Sequence, residues 1–210
     1  MDFSLWLAFA AASTALLLIP GPTVLLVLAY AIGQGRRIAV PTALGVAVGD
    51  LIAMSASLAG LGALVLASAS LFTALKWVGA VYLIWLGVKM IRGAKSTALD
   101  LETTEGTIAP RAAFLNAAAV TALNPKSIVF FIAFVPQFLN PGALLFGQSI
   151  VLIATFVGLA GINALAYALL ADKMRQAIRR PNVIAWMTRA GGGALVAMGL
   201  ATAMLRRATS

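Results

Sequence analysis

The chain has 210 residues, 62% hydrophobic and 10% charged, where a soluble globular domain is nearer half apolar and a quarter charged; this is the composition of a polytopic membrane protein with no length left for a separate soluble domain. It contains no Cys and no His, which excludes disulfides, thiolate and imidazole catalysis and the usual zinc or haem sites, so no enzyme, cofactor or metal is expected. The net charge of +9 lies in short connections between apolar runs, the pattern of cytoplasmic anchoring loops and not of nucleic-acid binding.

About 20 apolar residues cross a bilayer, and six such runs occur, at 3–32, 39–67, 70–91, 112–138, 143–171 and 184–205. The first is too long for a signal-peptide core, and no Lys or Arg precedes Arg36. It is interrupted by Pro20-Gly21-Pro22. Proline lacks an N–H and clashes with the carbonyl four residues earlier, so the carbonyls of Leu16 and Leu18 lose their helical donors. Such backbone is tolerated at membrane depth only where protein or a water-filled cavity satisfies it. Gly21 removes any side chain there, and Thr23 adds a hydroxyl. A packing kink would also account for the break.

The second run carries Asp50, the one acidic residue inside a span. A charge at that depth is costly and should face the bundle interior with a partner, for which Lys126 is the candidate. A carboxylate held between desolvation and an attracting cation can take up and release a proton; the alternative is a structural, hydrogen-bonded acid. Gly45 and Gly49 form a GxxxG pair suited to close helix packing. Trp77, Tyr82 and Trp85 in the third run, like Trp186 in the sixth, suit an interface or packing. The connection at 93–110, with Asp100, Glu102 and Glu105, is the one sizeable polar stretch and reads as a solvated loop.

The fourth run is broken at Asn124-Pro125-Lys126. Asn124 is a good N-cap and Pro125 suits the first helical position, so a new half-helix starts there with N–H groups that attract anions. Lys126 adds a full positive charge, unless it snorkels to an interface. Gln137, and Asn163 in the fifth run, either line a cavity or bond a neighbouring helix. Gly191-Gly192-Gly193 near the start of the sixth suits helix packing. Lipid-facing glycines admit a homodimer.

Eleven Lys and Arg residues lie in or beside connections one, three and five, and none in connections two and four. The odd connections are therefore cytoplasmic and the N-terminus outside, with the C-terminus outside too despite Arg206 and Arg207. Three spans lead in and three lead back, so related halves would form an inverted repeat: residues 1–92 and 111–210 around a cytoplasmic loop at 93–110. An offset of 113 residues pairs Asp50 with Asn163, Gly45 with Gly158, Lys76 with Arg189 and Gly79 with Gly192, and the two breaks pair at an offset near 104. The expected fold is thus all-α, six transmembrane helices as a 3+3 inverted repeat with helices 1 and 4 broken. Interrupted helices at matching positions of two halves point to a transport site. Carbonyls, N–H groups and a cation together suit an amino-acid zwitterion, with the carbonyls facing its ammonium and the N–H groups or cation its carboxylate.

"PGP" in the first span, "GRR" after it, "GVAVGD" in the second, "LKWVGAVYLIWLGVKMIRG" in the third and "NPKSIVFFIAFVPQF" in the fourth resemble the lysine exporter superfamily, and most of all its homoserine/threonine resistance branch. The resemblance runs from about residue 4 to 138 and is weaker through 143–205. It implies a bacterial inner-membrane exporter of amino acids or close derivatives driven by proton exchange. The signature positions carry over to Pro20, Gly21, Pro22, Gly49, Asp50, Asn124, Pro125, Lys126, Pro136 and Gln137. The expected substrate is a small neutral amino acid of the threonine, homoserine or leucine kind, bound by Pro20, Gly21, Pro22, Thr23, Asn124, Pro125, Lys126, Gln137 and Asn163, with Asp50 coupling protons. The alternatives are a basic amino-acid or metal-ion exporter of the same superfamily, the latter short of ligands for a soft cation, or a non-transporting scaffold.

Overall fold

Two of the apolar runs are divided by their prolines into half-helices, and this division shapes the whole bundle. The computed structural model describes residues 1–19, 21–67, 69–93, 108–140, 143–178 and 181–204, and all regular structure among them is helical. The first run becomes α1 (Phe3–Leu18) and α2 (Pro22–Gln34), bent by 57°. The fourth becomes α5 (Pro110–Ala122) and α6 (Pro125–Ala133), which ends in a 3-10 turn, Val135–Phe138; the bend here is 45°. Between and after them lie α3 (Arg36–Ala67), α4 (Ala69–Gly93), α7 (Leu145–Ile178) and α8 (Pro181–Met204).

Three stretches, Arg36–Gly60, Thr73–Gly93 and Leu145–Ala171, are each long and apolar enough to cross a membrane, and the two bent pairs qualify when each is counted as one span. The sixth expected span, α8, does not reach that hydropathy among the described residues. Asn182, Thr188, Arg189 and the Gly191-Gly192-Gly193 run dilute its apolar content. Pro20 and nearly all of the polar connection, including Asp100, Glu102 and Glu105, lie outside the described residues.

Glycines set the closest helix contacts, as small residues do where lipid supplies no hydrophobic drive between helices. A Cβ on Gly49 would lie 2.6 Å from the Ala118 carbonyl, and one on Gly45 would collide with that of Phe114, so α3 lies directly on the backbone of α5. On the other side of the bundle Gly87 and Gly192 face each other, and a Cβ on Gly192 would lie 2.6 Å from the Gly87 carbonyl. Trp77, Trp85 and Trp186 are exposed on the outer surface, and the Lys89 ammonium lies 5.0 Å from the centre of the Trp85 ring, within cation–π range.

Two apolar cores fill the interior. One is aromatic, with Phe9, Phe130, Phe131, Phe134, Phe138 and Phe156 in mutual contact. The other is built of small residues, among them Ala31, Ala39, Ala43, Ala117, Ala164 and Ala168 with Val27 and Val46.

Gly45→Val is expected to force α3 off α5 and to cost about 1–3 kcal/mol, the usual range for overpacking. Gly158→Ala, at a position with open space around its Cβ, should cost nothing. Thermal unfolding of the two detergent-solubilised variants checks the pair.

Candidate functional site

The two breaks lie against each other. α1 ends at Leu18 with the carbonyls of its last turn pointing onward, where an intact helix would supply donors from the next turn. Those donors come instead from side chains of the second half of the chain. Lys126 Nζ donates to the carbonyls of Leu16 and Ile19, both at 3.2 Å. Asn163 Nδ2 donates to the Leu17 carbonyl at 3.1 Å, and the Tyr167 hydroxyl to that of Leu18 at 3.4 Å. A cation at this end also complements the negative pole of the α1 dipole. Gly21 makes room for it: a Cβ there would already lie 3.4 Å from the Lys126 Nζ.

The second break uses its own parts. Asn124 is the N-cap of α6, its Oδ1 accepting from the Lys126 backbone N–H at 3.1 Å. Its Nδ2 donates to Thr23 Oγ1 at 3.3 Å, and the Thr121 hydroxyl donates to the same oxygen at 3.4 Å. Both second half-helices begin with proline at their first position, where a missing N–H costs nothing. α6 is capped by a side chain, whereas α2 has no side-chain cap.

Four helix ends thus converge on one enclosed cavity of about 30 Å³. Its polar lining is Thr23, Asp50, Asn124, Lys126, Ser127, Asn163 and Tyr167; Leu17, Val24, Val27, Val46, Ala160 and Ala164 close it. Asp50 is 2% exposed, and its Oδ1 has no hydrogen-bond partner. Lys126 is 9% exposed and both its printed side-chain bonds go to α1 carbonyls, so the expected partnership with Asp50 takes the form of a shared cavity wall.

Five expected residues, Thr23, Asp50, Asn124, Lys126 and Asn163, therefore meet at one place, with Gly21 against Lys126. Pro22 and Pro125 do not line the cavity; both rings are exposed, and their part is to start α2 and α6. Gln137 lies elsewhere, its Nε2 donating to the Ala133 carbonyl and to Thr202 Oγ1, each at 3.0 Å, and its buried Oε1 has no partner. Pro20 is outside the described residues. Tyr167 and Ser127 are additions from the structure. Tyr167 stands one helical turn after Asn163 on the same face, and Ser127 follows Lys126 directly, so spacing alone could have found both.

The LysE type translocator family matches residues 14–206. The chain is 35% identical over 208 residues to a homoserine/homoserine lactone efflux protein of Salmonella typhimurium, covering 99% of this chain and 100% of the relative. It is 33% identical over 153 residues to a leucine efflux protein of Enterobacter sp., 72% of each chain, and 32% identical over 200 residues to an uncharacterized membrane protein of Vibrio cholerae, 95% and 97%. No solved structure gives a significant match.

Asn163→Leu is expected to leave the Leu17 carbonyl without its donor and to cost about 1–3 kcal/mol, the penalty of a buried unsatisfied group. Tyr167→Phe, which removes a longer bond, should cost less. Equal and negligible losses in thermal stability would show that these carbonyls are satisfied by water instead.

Proposed function

The chain belongs to the LysE type translocator family, and on that premise we propose that it exports small neutral amino acids or their derivatives across the bacterial inner membrane in exchange for protons. The observation that carries this reading is the convergence of two broken helices on one buried polar cavity. Discontinuous helices of this kind place carbonyls and N–H groups at the midplane, where an amphoteric solute can be held without its water. The relatives named for homoserine, homoserine lactone and leucine efflux fit a substrate of this size and charge.

In this reading the six helical units form two inverted repeats, with α1 and α2 answering to α5 and α6, α3 to α7 and α4 to α8. The support is the pair of X-Pro starts at the two breaks and the joint presence of Asp50 and Asn163, the paired positions, on the cavity wall. The basic connections place the N-terminus outside. Gly147, Gly158 and Gly193 have open space at their Cβ positions, which leaves surface for a second copy.

Asp50 is the proton carrier. It is the one carboxylate on the lining, it is buried, and one of its oxygens is unpartnered. A group in that position changes its charge when either the solvent or a neighbouring cation reaches it. A zwitterion leaving while a proton enters moves one positive charge inward, so the membrane potential contributes about 2.3 kcal/mol per 100 mV to export.

Purified protein in proteoliposomes should exchange labelled homoserine, threonine or leucine by counterflow, and failure with every neutral amino acid would end this reading. Asp50→Asn is expected to lose concentrative flux driven by a pH gradient, by tenfold or more. Undiminished gradient-driven flux in that variant would remove Asp50 from the coupling role.

A further inference from the structure

The Lys126 bonds raise a question that export alone does not answer. A zwitterion bound at the broken α1 would place its ammonium on the carbonyls of the last turn, yet those of Leu16 and Ile19 already hold a primary ammonium, that of Lys126. The carbonyls between them, of Leu17 and Leu18, are held separately by Asn163 and Tyr167. With Lys126 withdrawn, two oxygens would be left vacant on a strut still fixed by α7.

We propose that the Lys126 ammonium is a resident stand-in for the substrate's α-ammonium, and that the two alternate on the Leu16 and Ile19 carbonyls. This rests on the amino-acid export reading and adds to it the group that recognises the amine and the step that couples it. Chemically the two cations are alike: each is a primary ammonium with three donors. Spatially they exclude one another. The cavity of about 30 Å³ has room for water, whereas pockets that enclose small ligands run to about 300–1,000 Å³. Exchange therefore requires the lysine to leave when the substrate arrives.

The displaced side chain has a destination. Asp50 faces the same cavity from α3 with its Oδ1 unpartnered. The other titratable group on the lining is Tyr167 of α7, whose hydroxyl is engaged with Leu18. Lys126 moved onto Asp50 favours the carboxylate over the carboxylic acid, because an opposite charge stabilises the ionised form. Substrate binding thus expels a proton from Asp50. In the reverse step, a proton arriving on Asp50 releases Lys126, which returns to the carbonyls and evicts the substrate. Substrate and proton become mutually exclusive through one side chain, which is the thermodynamic requirement of antiport.

The sign of one measurement separates this from a simple structural cap or a direct ligand. Lys126→Ala should bind leucine or homoserine at least tenfold more tightly than the parent protein in detergent, since the internal competitor is gone. Weaker or unchanged affinity overturns the proposal. n-Propylammonium should raise the melting temperature of the same variant and leave the parent unmoved, while tetramethylammonium, which has no N–H, should do nothing; equal effects of the two cations also overturn it. Should Lys126→Ala not be recoverable even in n-propylammonium, the parent protein decides. In weak buffer leucine should release protons on binding, and 2-hydroxy-4-methylpentanoate, which lacks the ammonium, should neither release them nor undergo counterflow; equal behaviour of the two overturns the proposal. Propylammonium-specific stabilisation without any amino-acid counterflow would sink the export reading while leaving the ammonium site standing. Counterflow without an ammonium-specific effect would sink only the stand-in.

Discussion

A helix cut in mid-membrane must find donors for its last carbonyls, and this requirement ties the two halves of the chain together. In water the four oxygens of Leu16 to Ile19 would be hydrated at little cost. In hydrocarbon each unsatisfied group costs several kcal/mol, so donors have to be brought to them. Lys126, Asn163 and Tyr167 do this, from α6 and α7. The position of the second half relative to the first is therefore fixed by polar bonds at the centre as well as by glycine contacts such as Gly49 on Ala118. A defect in one helix becomes the register mark for the bundle.

The two breaks solve the same geometric problem with different chemistry. Gly21-Pro22-Thr23 and Asn124-Pro125-Lys126 each start a half-helix with proline, but the residues around the prolines differ in size and charge. At the second break Asn124 caps its own helix, and the long Lys126 crosses to the other. At the first, Gly21 contributes only space and the Thr23 oxygen only an acceptor. One break is a receptor and the other a donor. An exact repeat could not do this, since two lysines would repel and two glycines would leave both ends bare. Divergence between the halves is what makes a polar site out of a symmetric frame.

Much of this was legible in the sequence because proline and buried charge are expensive in lipid and have few explanations. The breaks, the Asn124 cap and the burial of Asp50 follow from residue type alone. The part that was not legible concerns where a flexible side chain goes. Lys126 has four rotatable carbons, and its sequence neighbours do not say whether it meets Asp50 or the α1 carbonyls. Gln137 lies near the break in the sequence, but the 3-10 turn directs it to Thr202 and away from the cavity. Pro22 and Pro125 act on the backbone and so mark the site without touching it. The hydropathy of α8 illustrates a further limit: glycines that permit contact with Gly87 also lower the apolar signal by which a span is read.

The two cores that border the cavity differ in how easily they part. Each phenylalanine buries on the order of 150–250 Å², and the aromatic side holds six of them in mutual contact. The opposite side is mostly alanine and valine, with far less area to expose per residue. At about 25 cal/mol per Å², opening the small-residue side costs a fraction of opening the aromatic one. That side includes Ala39, one turn into α3 from the exposed Arg36 and Arg37, and Ala168 and Ala171 near the basic end of α7. Under the orientation proposed from the basic connections it faces the cytoplasm. An exporter needs this asymmetry: loading from the cytoplasm is met by the weaker barrier, and the proton-driven step is reserved for the side whose aromatic layer is costly to separate.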